Sequence, residues 1–244
     1  MFLGVYLAFT GKFDYRLLIR SRIYRYFLSA FMLSINWGLY IWSISINNLL
    51  ASSLGYFLAP LFYLLVGRIF LKEKISKLKT IALAIASLGL VPLVSYSDLN
   101  TFLIACGLAL SIVAYACIRK GSQLSSFHAL TIESVCVLPF ALFYIFQGAA
   151  TIPESSQNWR IYLLLLGTGP VTLLPLLFFG YAVKSLELNQ IGFLQYISPV
   201  LQFTLALLVF SEPLDNLRLS SFALVWIGIL VYLASFRCDP NPGK

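Results

Sequence analysis

Residues 58–90, LAPLFYLLVGRIFLKEKISKLKTIALAIASLGL, lie over residues 197–229, ISPVLQFTLALLVFSEPLDNLRLSSFALVWIGI, at a constant offset of 139 and without a gap. Pro60 meets Pro199, Glu73 meets Glu212, Leu78 meets Leu217, Ala84 meets Ala223 and Gly89 meets Gly228. Two leucine-rich helices match somewhere by composition alone, so the number of identities decides little. More telling is that a proline near the start of one apolar run, a glutamate at its exit and a glycine in the next run all keep register. Self-similarity at a fixed offset is the mark of an internal duplication.

Outside these two copies the 244-residue chain is equally apolar. It is 60% hydrophobic, 16% aromatic and 11% charged, with a mean hydropathy of +0.88, where a soluble domain carries about a quarter charged residues. Too little polar sequence remains to cover a water-soluble core. Crossing a hydrocarbon layer of about 30 Å takes roughly 17 to 25 mostly apolar residues. Segments of that kind occupy about 24–46, 49–71, 78–95, 100–118, 127–147, 161–183, 189–210 and 219–236. The predicted protein is therefore all-α and polytopic, with eight full transmembrane helices. Its connections are too short for a soluble domain. A single integral membrane domain spans 1–236, a first repeat covers about 1–95 and a second about 100–236, and 237–244 form a tail.

Residues 1–10, MFLGVYLAFT, would rise only about 15 Å as a helix, half a bilayer. Lys12, Asp14 and Arg16 follow instead of a small-residue cleavage site, which argues against a signal peptide. The segment reads as the second half of a span whose beginning lies upstream of Met1.

The formal charge of +8 raises the question of a nucleic-acid partner, but the positions of the basic residues answer a different one. Lys and Arg flanking spans stay on the cytoplasmic side. Summed over alternate connections, 15 lie on one side, and Arg160 and Arg218 lie on the other. A miscounted span in the middle would destroy that asymmetry, so the eight-span count and a cytoplasmic C-terminus support each other. The basic run over 11–25 then serves topology, with attraction to anionic headgroups as a secondary effect, and nucleic acid is not an expected partner. Five crossings separate Glu73 from Glu212, and because five is odd the second copy enters the membrane from the opposite side. Inverted repeats of this kind occur in secondary transporters, where two halves alternate access around a site at their interface. Architecture alone also suits a scaffold.

Several segments, in order, resemble the RarD proteins of the EamA branch of the drug/metabolite transporter superfamily. They are NWGLYIW (36–42), SLGYFLAP (53–60), FLKEK (70–74), IRK (118–120), TIESVCVLP (131–139), VTLLPL (171–176) and GFLQYISP (192–199). The resemblance implies ten transmembrane helices in two inverted five-helix repeats. Measured against that pattern, about the first one and a half helices lie outside the sequence, and a start upstream of Met1 is the expected explanation. It also implies a permease for small molecules in a bacterial inner membrane.

A charged group at mid-membrane costs at least about 2.5 kcal/mol on insertion scales, so polar residues inside spans are the candidates for a site. Glu133 is the one acidic residue within a span, about 9 Å below the cytoplasmic interface. An acid among apolar neighbours is poised to take up a proton; the alternative is a Glu hydrogen-bonded to another helix or paired with Arg119 or Lys120. RarD relatives carry an acid in the same IE-x-x-x-x-LP context, which favours a coupling role. Asn36, Trp37, Tyr40, Trp42, Tyr56, Gln195 and Tyr196 form a second candidate set, a cavity wall for an amphipathic metabolite, against the alternative of helix-to-helix bonding. Pro60 and Pro199 are the expected helix bends. Glu73 and Glu212, at helix exits, are expected to cap neighbouring helices or to pair with lysines.

No metal site or cofactor is expected. Cys106, Cys117, Cys136 and Cys238 form no C-x-x-C pair, and His128, the one histidine, starts a span. Catalysis is disfavoured: the aspartates are scattered in loops and no Ser–His pair falls deep in a span. The sequence thus predicts a secondary-active transporter of small metabolites or drugs, working by alternating access on a proton or substrate gradient. The lipid bilayer and a small-molecule substrate are its expected partners, and a homodimer is left open. A non-transporting scaffold or decayed permease is the second reading.

Overall fold

The computed structural model describes residues 22–95, 97–147, 158–198, 201 and 216–238. The expectations for residues 1–10, Pro199 and Glu212 lie outside them. The described residues form α1 (Tyr24–Ser45), α2 (Leu49–Ile69), α3 (Lys77–Leu88), α4 (Val91–Ser95), α5 (Leu99–Lys120), α6 (Ser126–Phe146), α7 (Trp159–Ser185), α8 (Leu188–Gln195) and α9 (Asn216–Cys238). Among them α1, α2, α5, α6 and α7 are long and apolar enough to cross a membrane, and each falls within a few residues of a segment read from hydropathy. The segment at 78–95 is interrupted: α3 ends at Leu88, and α4 resumes at Val91 after the turn at Gly89 and Leu90.

Helix starts are set by local chemistry. The Asn48 side chain accepts from Ala51 N, that of Ser76 from Lys79 N, and that of Ser125 from His128 N, each satisfying a backbone donor that the first turn leaves open. Asn47, at φ 55°, takes the left-handed conformation that asparagine tolerates better than most residues, and lets α1 and α2 reverse direction within three residues. Glu187 and Gln190 form a reciprocal capping box at the start of α8. The starts of α2 and α8, Leu49 and Leu188, are themselves 139 residues apart.

The chain divides into two compact units, Met1–Ser34 with Tyr115–Ser185, and Ile35–Ala114 with Leu186–Lys244. Each takes residues from both of the broader repeats expected from sequence, about 1–95 and about 100–236. In the first unit, Tyr26, Leu124, Ala129 and Ile132 form a buried cluster with Cys136 packed against it. The most apolar stretch of α7 buries none of its residues within the protein, as expected of a helix whose solvent is lipid.

The second unit packs α2 on α8 and α3 on α9. Gly89 and Gly228 make close approach between α3 and α9 feasible. A Cβ on Gly89 would lie 2.6 Å from Ser221 O, and one on Gly228 would lie 2.8 Å from Ala82 O. Residues 82 and 221 are separated by the same 139 positions as 89 and 228, so the two contacts are one contact made twice in reciprocal sense, the relation a two-fold operation produces. Position 89 opposes 221 while 82 opposes 228, which makes the two helices antiparallel.

Candidate functional site

Glu133 lies two turns into α6 and is 3% exposed. Ser29 Oγ on α1 donates to its Oε1 at 2.6 Å, and the Tyr115 hydroxyl on α5 donates to Oε2 at 3.2 Å. Arg119, one turn below Tyr115 and wholly buried, places Nη1 3.4 Å from Oε1 as an ion pair. The reason for this meeting is local. A five-residue connection, 121–125, separates the last turn of α5 from the first turn of α6, so a long side chain near the end of one reaches the early turns of the other. Arg119 Nη2 also donates to Ser126 O at 3.3 Å, while its Nε and the Ser126 hydroxyl are buried with no partner among the described residues.

Gly180 on α7 completes the enclosure. A Cβ there would fall 2.6 Å from Arg119 Nη2 and 3.0 Å from the Ser126 side chain, so the guanidinium occupies the space that a side chain would need. The end of α7 thus lies against the pair, with Phe179 stacked on Tyr115 at a centroid distance of 6.0 Å. Lys184, at the end of α7, donates through Nζ to Leu124 O. Glu133 is therefore an acid held by hydroxyl donors from two other helices and by one buried cation. Of the two readings of Glu133 drawn from sequence, the paired one describes its geometry, with Arg119 as the partner.

The second candidate set resolves into separate groups within the second unit. Asn36 Nδ2 donates to Leu108 O at 2.9 Å and to Ser111 Oγ at 3.0 Å, so it bonds α1 to α5. Gln195 Nε2 donates to the Tyr63 hydroxyl at 3.3 Å, bonding α8 to α2. Tyr40 and Tyr56 meet edge to face at 6.2 Å; both are exposed, as are Trp37 and Trp42. Tyr196 is fully buried and its hydroxyl has no partner among the described residues. Pro60 is buried within α2, and its carbonyl faces Gly192 of α8, where a Cβ would lie 3.1 Å away.

Glu73 does what its position at a helix exit suggested. Its carboxylate accepts from Leu188 N at 2.7 Å, from Asn189 N at 3.1 Å and from Asn189 Nδ2 at 3.0 Å. An anion at a helix N-terminus satisfies open donors and complements the helix dipole. Asn189 Nδ2 also donates to Glu187 at 2.9 Å. No group of three His, Cys, Asp or Glu side chains able to hold a metal occurs among the described residues.

Ser29 was not legible as a site residue from sequence, where it counts as one more small polar residue in an apolar span and nothing marks it. Arg119 was legible only as one of two basic residues, with Lys120, that could pair with Glu133 across the short turn; the structure selects Arg119.

Comparison with known proteins bears on what this arrangement serves. A family profile for EamA-like transporters matches residues 99–234. The uncharacterized transporter YojE of Bacillus subtilis is 35% identical over 209 residues, 86% of this chain and 70% of that one. An uncharacterized transporter of Vibrio cholerae is 37% identical over 209 residues, 84% of this chain and 68% of its own. The RarD protein of Escherichia coli is 33% identical over 238 residues, 95% of this chain and 80% of that one. With long apolar helices and relatives of this kind, the chain belongs to the EamA-like transporter family, on the branch that holds the RarD proteins, and is a bacterial multi-pass membrane transporter.

Proposed function

We propose that this chain is a secondary-active transporter, a permease or exporter of small metabolites or drugs, working by alternating access on a proton or substrate gradient, with Glu133 as the coupling group. The observation that carries the reading is the convergence of Ser29, Tyr115 and Arg119 on Glu133. Three helices are tied through one acid. A proton on that acid cancels the charge facing Arg119, whose guanidinium cannot itself neutralise, and a buried cation without its anion is unstable. Proton uptake would therefore favour a rearrangement of α1, α5 and α6, which is the two-state element that coupling requires.

The reciprocal contacts of Gly89 and Gly228 support two copies of opposite orientation. Antiparallel equivalent helices imply a two-fold axis across the helix direction, as in inverted-repeat transporters. The distribution of basic residues supports an inner-membrane protein with a cytoplasmic C-terminus. The scaffold reading draws on Asn36 and Gln195, which bond helix to helix rather than standing free in a cavity.

The test is flux in proteoliposomes under an imposed pH gradient, using a pooled metabolite mixture and reading uptake by mass spectrometry. Glu133→Gln should abolish gradient-driven uptake. The charge-neutral pair Arg119→Met with Glu133→Gln serves as the folding control and should be equally uncoupled. Wild-type driven flux in either variant would remove Glu133 from the mechanism; no gradient-driven flux of any compound by the wild type would favour the scaffold.

A further inference from the structure

We propose that the first unit carries a built site for the phosphate of an anionic phospholipid, between Arg22 and Arg25 at the entrance of α1. A cavity of about 270 Å³ is lined there by Arg22, Arg25, Tyr26, Gly121 and Gln123. Two of the five are guanidinium groups and none is an acid, so among the described residues the cavity carries two positive charges and no carboxylate lines it. A phosphate offers several acceptor oxygens to such a pair of guanidinium groups, in the bidentate geometry that arginine suits.

The walls are fixed in advance. Arg25 Nη1 donates to Gly121 O at 2.6 Å, which holds one edge of the guanidinium and leaves its remaining donors for a ligand. A Cβ at position 121 would lie 3.1 Å from that same nitrogen, so glycine provides the clearance. The Tyr26 hydroxyl lies 3.0 Å from Ser122 Oγ and accepts from Leu124 N at 3.1 Å. The turn between α5 and α6 is thereby pinned to the first turns of α1, and the side-chain ordering that binding would otherwise require has largely been met by folding.

Size and surroundings favour a lipid headgroup over a free metabolite. Pockets that enclose drug-sized ligands run from about 300 to 1,000 Å³, and this one falls below that range. Leading away from it, Ile23, just ahead of α1, and Phe27 and Phe31 on α1 recur at intervals of four and are 44%, 55% and 59% exposed. They make one apolar stripe that starts beside the arginines. A phospholipid whose phosphate sits in the cavity would lay its acyl chains along that stripe. Basic pockets at the charged margin of transmembrane helices hold anionic headgroups in this manner.

The experiment measures lipid binding to the purified full chain in neutral detergent by native mass spectrometry, with phosphatidylglycerol, phosphatidylcholine and soluble glycerol 3-phosphate as probes. Phosphatidylglycerol should bind in preference to phosphatidylcholine. Arg22→Gln, which leaves the Arg25–Gly121 bond intact, should weaken it about fivefold, and Arg22→Gln with Arg25→Gln about thirtyfold. Arg160→Gln, remote in sequence, should leave it unchanged. Equal binding of the two lipids, or an Arg22→Gln affinity equal to that of the wild type, would overturn the site. Competition by glycerol 3-phosphate at lipid-equivalent concentration would overturn the lipid assignment in favour of a free phosphate.

Discussion

Removing either partner of the Arg119–Glu133 pair should have unequal consequences, and the inequality follows from which group can shed its charge. The two side chains are 0% and 3% exposed and 3.4 Å apart, so water screens them little. Glu133→Gln preserves shape but strands Arg119, which stays protonated at any accessible pH. Breaking a buried pair in this way costs roughly 3 to 5 kcal/mol. Arg119→Met instead strands Glu133, which can take up a proton and keep its bonds to Ser29 and Tyr115. Its cost should be nearer 1 to 3 kcal/mol, that of imperfectly satisfied buried polar groups. The double variant removes both charges and should be more stable than Glu133→Gln alone, with a coupling of at least about 2 kcal/mol in the double-mutant cycle. Reversible unfolding in mixed micelles, followed by circular dichroism, measures all four proteins. If Glu133→Gln is no more damaging than Arg119→Met, or if the two losses simply add in the double variant, the pair is not the charge-compensated unit described here.

Further outcomes are expected elsewhere in the fold. Gly228→Leu and Gly89→Leu should each destabilise by about 1 to 3 kcal/mol through overpacking, and by similar amounts, because their contacts are reciprocal; a thermal melt in detergent compares them. Glu73→Ala should cost about 1 to 3 kcal/mol by leaving the Leu188 and Asn189 amides unanswered, and hydrogen exchange should rise first at the start of α8. Asp98, exposed ahead of α5, has its carboxyl held below the usual range chiefly by its side-chain hydrogen bond with Thr101. A depressed acid of this kind stabilises above its unfolded-state value and loses that contribution as pH falls through its lower folded value. Asp98→Asn should therefore flatten the acid limb of the stability profile in a pH series.

Much of the architecture was legible before any coordinates. Hydropathy located α1, α2, α5, α6 and α7 because a lipid solvent demands long apolar helices and punishes any other backbone. Glu73 could be anticipated as a cap because a carboxylate at a helix exit has few other uses. The site was less legible. Asn36 and Gln195 stood out as polar residues in apolar surroundings, yet the same property suits a cavity wall and a helix-to-helix bond. Which one holds depends on what lies opposite: Leu108 and Ser111 for Asn36, Tyr63 for Gln195.

What the sequence determined by itself is the class of solvent, the helical character and the 139-residue register, since each depends on composition and periodicity along one chain. Tertiary structure alone decided that Arg119 turns inward to meet Glu133, that Gly180 clears space for its guanidinium, and that Gly89 and Gly228 face Ser221 and Ala82. Those are properties of pairs of surfaces. A buried charge is tolerable only where an opposite charge and hydroxyl donors arrive from other helices, and a missing Cβ matters only where another backbone comes within 3 Å.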